Sequence, residues 1–164
     1  MLKPLRQFML AKMPTPVQAV QALRAVFLAM FMAQVVLAGV LGIVLALLGD
    51  RQGSSPVLAQ TFIFMSLVLL PATLFGSSQM AAAGGKQAAL SATLLNAVIL
   101  ATPAWFLSFA FAVGVQSVYL LFLVAILLLY YALGLFSLTA FARAALRPPA
   151  DVQKAAEDAP ETSH

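Results

Sequence analysis

The sequence predicts an all-α polytopic membrane protein, a four-helix transmembrane bundle made of two antiparallel hairpins with both chain ends on the cytoplasmic side. Three observations predict it. Four apolar stretches, residues 25–48, 57–83, 88–113 and 118–141, each exceed the ~20 residues a helix needs to cross ~30 Å of hydrocarbon. The composition agrees: 63% of the 164 residues are hydrophobic and 9% charged, at a mean hydropathy of +1.00, whereas about 25% of a soluble domain is charged. The basic residues are also unevenly shared. Lys3, Arg6, Lys12 and Arg24 precede the first stretch, Lys86 lies between the second and third, Arg143, Arg147 and Lys154 follow the fourth, and only Arg51 falls on the other side. Lys and Arg near span ends are retained in the cytoplasm, so the net charge of +4 is a topology signal and places both ends inside. A three-span topology would export the basic residues after Phe141, against that rule.

Residues 1–15 form a basic cytoplasmic or interfacial leader. Its Leu2, Leu5, Phe8, Met9 and Met13 interleave with Lys3, Arg6 and Lys12, which suits either a short helix on anionic headgroups or an irregular leader that enforces orientation. A signal peptide would carry a short apolar region and a small-residue cleavage site. Here Pro4, Lys12, Pro14 and Pro16 interrupt early and the apolar run continues to Leu48, so the first span is expected to remain in the mature protein. Thr15, Pro16 and Gln18 then supply an N-cap, a first-turn proline and the third-position glutamine of a capping box.

The transmembrane domain covers residues 16–143. Its first helix is expected to end at Gly49 and Asp50, before the Gln52–Pro56 turn cluster, with Pro56 opening the second helix. Gly84, Gly85 and Lys86 link the second and third spans, and residues 113–117 link the third and fourth. The first and third connections are short, so spans one and two, and likewise three and four, are expected to be antiparallel neighbours. Pro148 and Pro149 stop the last helix, and residues 144–164 read as a disordered polar cytoplasmic tail carrying Asp151, Lys154, Glu157, Asp158 and Glu161.

Lipid offers no hydrophobic drive between helices, so close packing must hold them, and small residues should mark the contact faces. Ala25, Ala29 and Ala33, then Ala38, Gly42 and Ala46, recur every four residues in span one, as do Ala89, Thr93, Ala97 and Ala101 in span three. These ladders suit packing within the bundle or between chains. Span four, with Leu120, Leu121, Phe122, Leu123 and Ile126–Leu129, has little small-residue surface and is expected to face lipid or a bulky partner.

Few polar residues enter the spans. Gln34, Thr73, Asn96, Tyr130 and Tyr131 fall between ~12 and ~20 Å from the cytoplasmic helix ends at ~1.5 Å per residue, so they are expected to share one layer. Pro71 and Pro103 lie near that depth, and each removes a helical hydrogen bond, from the carbonyls of Leu67 and Ile99 respectively. Two readings follow. The five side chains line a polar cavity with the prolines as hinges, or they are interhelical hydrogen-bonding glue.

Absent residues narrow the function. There is no cysteine, which excludes disulfides, thiolate nucleophiles and iron–sulfur ligation, and the single histidine is His164, which leaves no imidazole pair for haem or zinc. All five carboxylates, Asp50, Asp151, Glu157, Asp158 and Glu161, lie outside the spans. A proton-coupled pump normally needs a titratable group at mid-depth, so this counts against small multidrug exporters, rotary-ATPase ring subunits and the four-span aspartyl signal peptidase. Serine hydrolysis lacks a buried base. No catalysis, cofactor, metal or nucleic acid is therefore expected. Leu70-Pro71 with Leu74-Phe75 resembles a segment in the second span of the membrane-embedded assembly proteins of bacterial ATP synthases, although the charged residues those proteins carry early in the third span are missing here. Two functions stay open. One is an accessory, assembly or structural subunit of a multi-pass kind, partnered by the bilayer, other membrane proteins or itself. The other is a facilitative carrier or channel for an uncharged or hydrophobic solute. Size and layout suggest a bacterial inner membrane.

Overall fold

In a computed structural model of the chain, the described residues are 2–11, 14–49 and 56–148, with side chains described from Leu5 onward. The expected loop around Asp50 and Arg51, the polar tail beyond Pro148, and Lys12 and Met13 lie outside the described residues. Among those described, six helices follow in order: α1 (Leu2–Leu10), α2 (Pro16–Leu48), α3 (Pro56–Ala82), α4 (Gly85–Leu100), α5 (Thr102–Ala112) and α6 (Ser117–Ala145). Four stretches are long and apolar enough to cross a membrane: α2, α3, α4 and α5 taken together, and α6.

Local chemistry sets the helix ends. At the start of α2 the Gln18 N–H donates to Thr15 Oγ1 at 3.3 Å and the Thr15 N–H donates to Gln18 Oε1 at 3.1 Å, completing the capping box ahead of Pro16. The α2 helix closes at Gly49, whose N–H donates to Leu45 O at 2.9 Å. Gly84 and Gly85 turn the chain between α3 and α4 with φ of 73° and 83°, a region a side chain would strain. Gly114, at φ 76°, makes a Schellman ending of α5. There the Val115 N–H donates to Ala110 O at 3.0 Å and the Gly114 N–H to Phe111 O at 3.2 Å, and Val115 buries itself against Ala110.

The third span is the centre of the bundle. Within its most apolar window 44% is buried, against 22%, 17% and 22% for α2, α3 and α6. Its sequence permits this, because Ala89, Ala92, Thr93, Ala97, Ala101, Ala104 and Ser108 are all buried and small on several sides, letting three neighbours approach one axis. The third and fourth spans touch along the short diagonal of a rhombus, while α2 and α3 occupy the two far corners. Consecutive spans alternate in direction, as the hairpin reading requires, but α2 and α3 make no substantial contact with each other. That corrects the expectation of a packed first hairpin. Seven residues of any chain span up to roughly 25 Å when extended, so a short connection does not by itself enforce contact.

The larger core lies at the basic end of the bundle, where Phe8, Leu23, Phe27, Phe31, Leu138 and Phe141 interlock with the alanines of α4. A smaller one at the other end gathers Ala59, Ala110, Val115 and Leu123 beneath the stacked rings of Phe62 and Phe106, 5.4 Å between centroids. The α1 leader is helical. Its Phe8 is fully buried in the main core, and Lys86 holds it from α4, the ammonium donating to Ala11 O and lying 5.6 Å from the Phe8 ring centroid.

The packing face of α2 differs in part from the expected ladder. Ala38, Gly42 and Ala46 are buried, but Ala29 and Ala33 are exposed and Ala25 only half-buried. Ala33 to Ala38 is a five-residue step, which turns about 140° around the helix at ~3.6 residues per turn, so one helix cannot present both runs to one neighbour. The inward stripe instead runs Ala19, Leu23, Phe27, Phe31, then Ala38. Large rings fill the wide gap to α6, and small residues line the close approach to α5, where a Cβ on Gly42 would sit 3.0 Å from Ser108 Cα. The α6 helix does show Leu121, Phe122, Leu128, Leu129 and Phe136 outward, yet Leu123, Tyr130, Gly134, Leu138 and Phe141 form a continuous inward stripe.

Candidate functional site

The five polar side chains expected in one layer occupy five separate settings. Gln34, on the rim of α2, accepts from Trp105 Nε1 of α5 at 3.4 Å, with both side chains half-buried. Thr73 is fully buried and folds back on its own helix, its hydroxyl donating to Leu69 O at 2.6 Å. Asn96 of α4 is fully buried and donates from Nδ2 to Ser137 Oγ of α6 at 2.7 Å. Tyr130 of α6, also fully buried, donates to Ser66 O of α3. Tyr131 packs by its ring, 5.5 Å from Phe31 and 6.3 Å from Phe27 between centroids. None of the five hydrogen-bonds to another.

Three of these hydrogen bonds tie helices together. Tyr130 ties α6 to α3, Asn96 ties α4 to α6, and Gln34 ties α2 to α5. A further tie carries no mark in the polar pattern: the Ser108 hydroxyl donates to Ala38 O at 2.6 Å across the α2–α5 seam and lies 2.9 Å from Ala104 O. Trp105, Ser66, Ser108 and Ser137 are thus the partners that sequence reading missed. Ser108 had a signal, since it lies four residues beyond the buried Ala104 on a ladder of small residues. Ser66 contributes a backbone carbonyl, which no side-chain pattern announces.

One polar atom stands apart. Asn96 Oδ1 is buried without a hydrogen-bond partner. Asn96 holds α4 to α6 through its amide nitrogen, with its carbonyl oxygen unpaired.

The two prolines part company. Pro103 is fully buried and interrupts the third span: α4 ends at Leu100, Ala101 turns, and the Ala104 N–H donates to Ala101 O at 3.0 Å in a three-residue step. Pro103 then sits in the first turn of α5, where a missing N–H costs nothing. Pro71 is exposed, and α3 runs through it as one helix. The two candidate hinges therefore sit in different settings. The difference is context: Pro103 follows a turn that starts a helix, whereas Pro71 has full turns of α3 on both sides and its ring points away from the bundle.

Outside, α3 is the least buried span, and its Leu67, Val68, Pro71, Leu74 and Phe75 all face outward near mid-span. Pro71 has no N–H to give the Leu67 carbonyl. Among the described residues there is no Asp, Glu, His or Cys, hence no cluster of them able to hold a metal ion. No protein-family profile, curated protein or solved structure matches the chain.

Proposed function

We propose that this multi-pass membrane protein is a non-catalytic accessory, assembly or structural subunit that acts through helix–helix contacts in a bacterial inner membrane, with both ends in the cytoplasm. The observation that supports this reading is how the intramembrane polar groups are used. Gln34, Asn96, Tyr130 and Ser108 each bond across a helix seam, and Thr73 bonds within its own helix. What remains to meet a partner is the apolar exterior, above all the outward face of α3. The Leu70-Pro71 and Leu74-Phe75 segment that resembles ATP-synthase assembly proteins lies on that helix, with Pro71, Leu74 and Phe75 exposed. A helix break or proline on an outer face also favours a protein neighbour, because a carbonyl without its helical donor is costly against lipid.

A second reading, a facilitative carrier or channel for an uncharged or hydrophobic solute, draws on the unpaired Oδ1 of Asn96, which a solute donor would satisfy. Extraction in mild detergent with native partners retained separates the two. A stoichiometric complex with other membrane proteins supports the subunit. A lone chain or homodimer that moves solute across liposomes refutes it and supports the carrier.

A further inference from the structure

At the basic end of the bundle the last turns of α3 and α6 diverge around an open cleft of about 320 Å³. Its walls are apolar, with Ala81 and Ala82 from α3 facing Ala140 and Phe141 from α6, and two guanidiniums line it, Arg143 and Arg147. Arg143 lies in the last turn of α6 and Arg147 just beyond the Leu146 cap, and both border the same cleft. Both are exposed, and the Arg147 carbonyl accepts the Gly85 N–H at 3.1 Å, which fixes the backbone at the start of α4 against the end of α6. The Ser78 hydroxyl on the opposite wall already donates to Phe75 O at 2.8 Å, so the two arginines supply the donors.

The depth of the cleft identifies its ligand. The 27 residues of α3 and 29 of α6 measure roughly 40 Å, about 10 Å more than the hydrocarbon they cross, so their last turns emerge at headgroup level. Among the described residues there is no carboxylate to compete for Arg143 or Arg147. A guanidinium pair at that level is matched to a phosphate, which it can bind through parallel charge-assisted hydrogen bonds. The alanine walls suit the glycerol and first methylenes below it. We propose that this cleft binds one anionic phospholipid by its phosphate, with Arg143 and Arg147 as the recognising groups. Basic pockets between spans on the cytoplasmic side bind acidic headgroups in this way. The site does not depend on whether the protein serves as a subunit or a carrier.

Native mass spectrometry of the full chain in detergent tests it, with phosphatidylglycerol and phosphatidylcholine of identical acyl chains offered together. The wild type is expected to retain one phosphatidylglycerol under activation that strips phosphatidylcholine. Arg143→Gln with Arg147→Gln should lower that occupancy about tenfold or more. Ala140→Phe fills the cleft from an exposed position while keeping both charges, and should lower it comparably, whereas Arg24→Gln should leave it unchanged. Equal retention of the two lipids, undiminished phosphatidylglycerol in the Ala140→Phe protein, or an equal loss with Arg24→Gln would overturn the proposal. Binding of millimolar inorganic phosphate without retention of phosphatidylglycerol would overturn the lipid assignment. If the paired glutamine variant fails to fold, the Ala140→Phe result decides.

Discussion

Gly134 gives the most exacting test of the packing. A Cβ at this position would lie 2.2 Å from Phe27 Cζ, 2.6 Å from Phe27 Cε2 and 3.1 Å from Leu100 Cδ1, where carbons in contact prefer about 3.5–4.0 Å. The ring must then retreat by more than ~1 Å. It has nowhere to go, being fully buried and stacked at 5.5 Å on Phe31 with Tyr131 at 6.3 Å. Gly134→Ala is therefore expected to destabilise the bundle by about 1–3 kcal/mol, less the ~0.5–1 kcal/mol that alanine gains over glycine as a helix former. Reversible unfolding in mixed micelles, followed by the fluorescence of the single tryptophan, Trp105, measures it. Phe27→Leu opens the space that the methyl needs, so the double variant should recover about 0.5–3 kcal/mol relative to the sum of the single ones. Gly39 is the control: nothing lies within 4 Å of the point where its methyl would sit, and Gly39→Ala should be neutral or slightly stabilising. The reasoning fails if Gly134→Ala is as stable as Gly39→Ala, or if Gly134→Ala and Phe27→Leu are additive.

Thr15→Ala removes half of the capping box and should cost about 0.5–2 kcal/mol, read locally as faster amide exchange over the first turn of α2. Ser108→Ala breaks the tie to Ala38 and should cost about 0.6 kcal/mol, at most ~1.7, in the same micelle assay. Lys86→Met keeps the stem but loses the ammonium that holds Ala11 and Phe8, so tryptic cleavage at Arg6 should quicken severalfold while the stability of the spans stays within about 0.5 kcal/mol. Because the chain has no native cysteine, single cysteines at positions 96 and 130 report water access cleanly. Both should resist aqueous thiol reagents, and ready labelling of either would favour a hydrated cavity over interhelical glue.

Local chemistry announced most of the turns, the one at Ala101 within the third span excepted. Thr15 with Gln18, Pro56, the Gly84–Gly85 pair and the Gly114 ending lie where turn and cap physics put them, and the four spans follow from hydropathy and length. Facing was harder to read. In water a helix advertises its inner side by contrast with a polar outer side, but in lipid the outer side is as apolar as the core, and the period fades. Ala29 and Ala33 therefore looked equivalent to Ala38 and Gly42, although they are out of phase with them. The polar residues were legible as single residues and illegible as pairs. Gln34 with Trp105, Asn96 with Ser137 and Tyr130 with the Ser66 carbonyl are separated by 71, 41 and 64 positions, and only the packing of helices brings them together. Lys86, read as a topology marker, also clamps the leader helix, for the same nonlocal reason.

The rhombic arrangement has a consequence for biogenesis. Since α2 and α3 meet chiefly through what lies between them, a nascent chain released into the bilayer up to Gly84 holds two helices that have no surface for each other. At roughly 5–20 residues per second the third span arrives within a few seconds and supplies both missing interfaces at once. Until then the early half of the protein is open to whatever chaperone or neighbouring helix reaches it first.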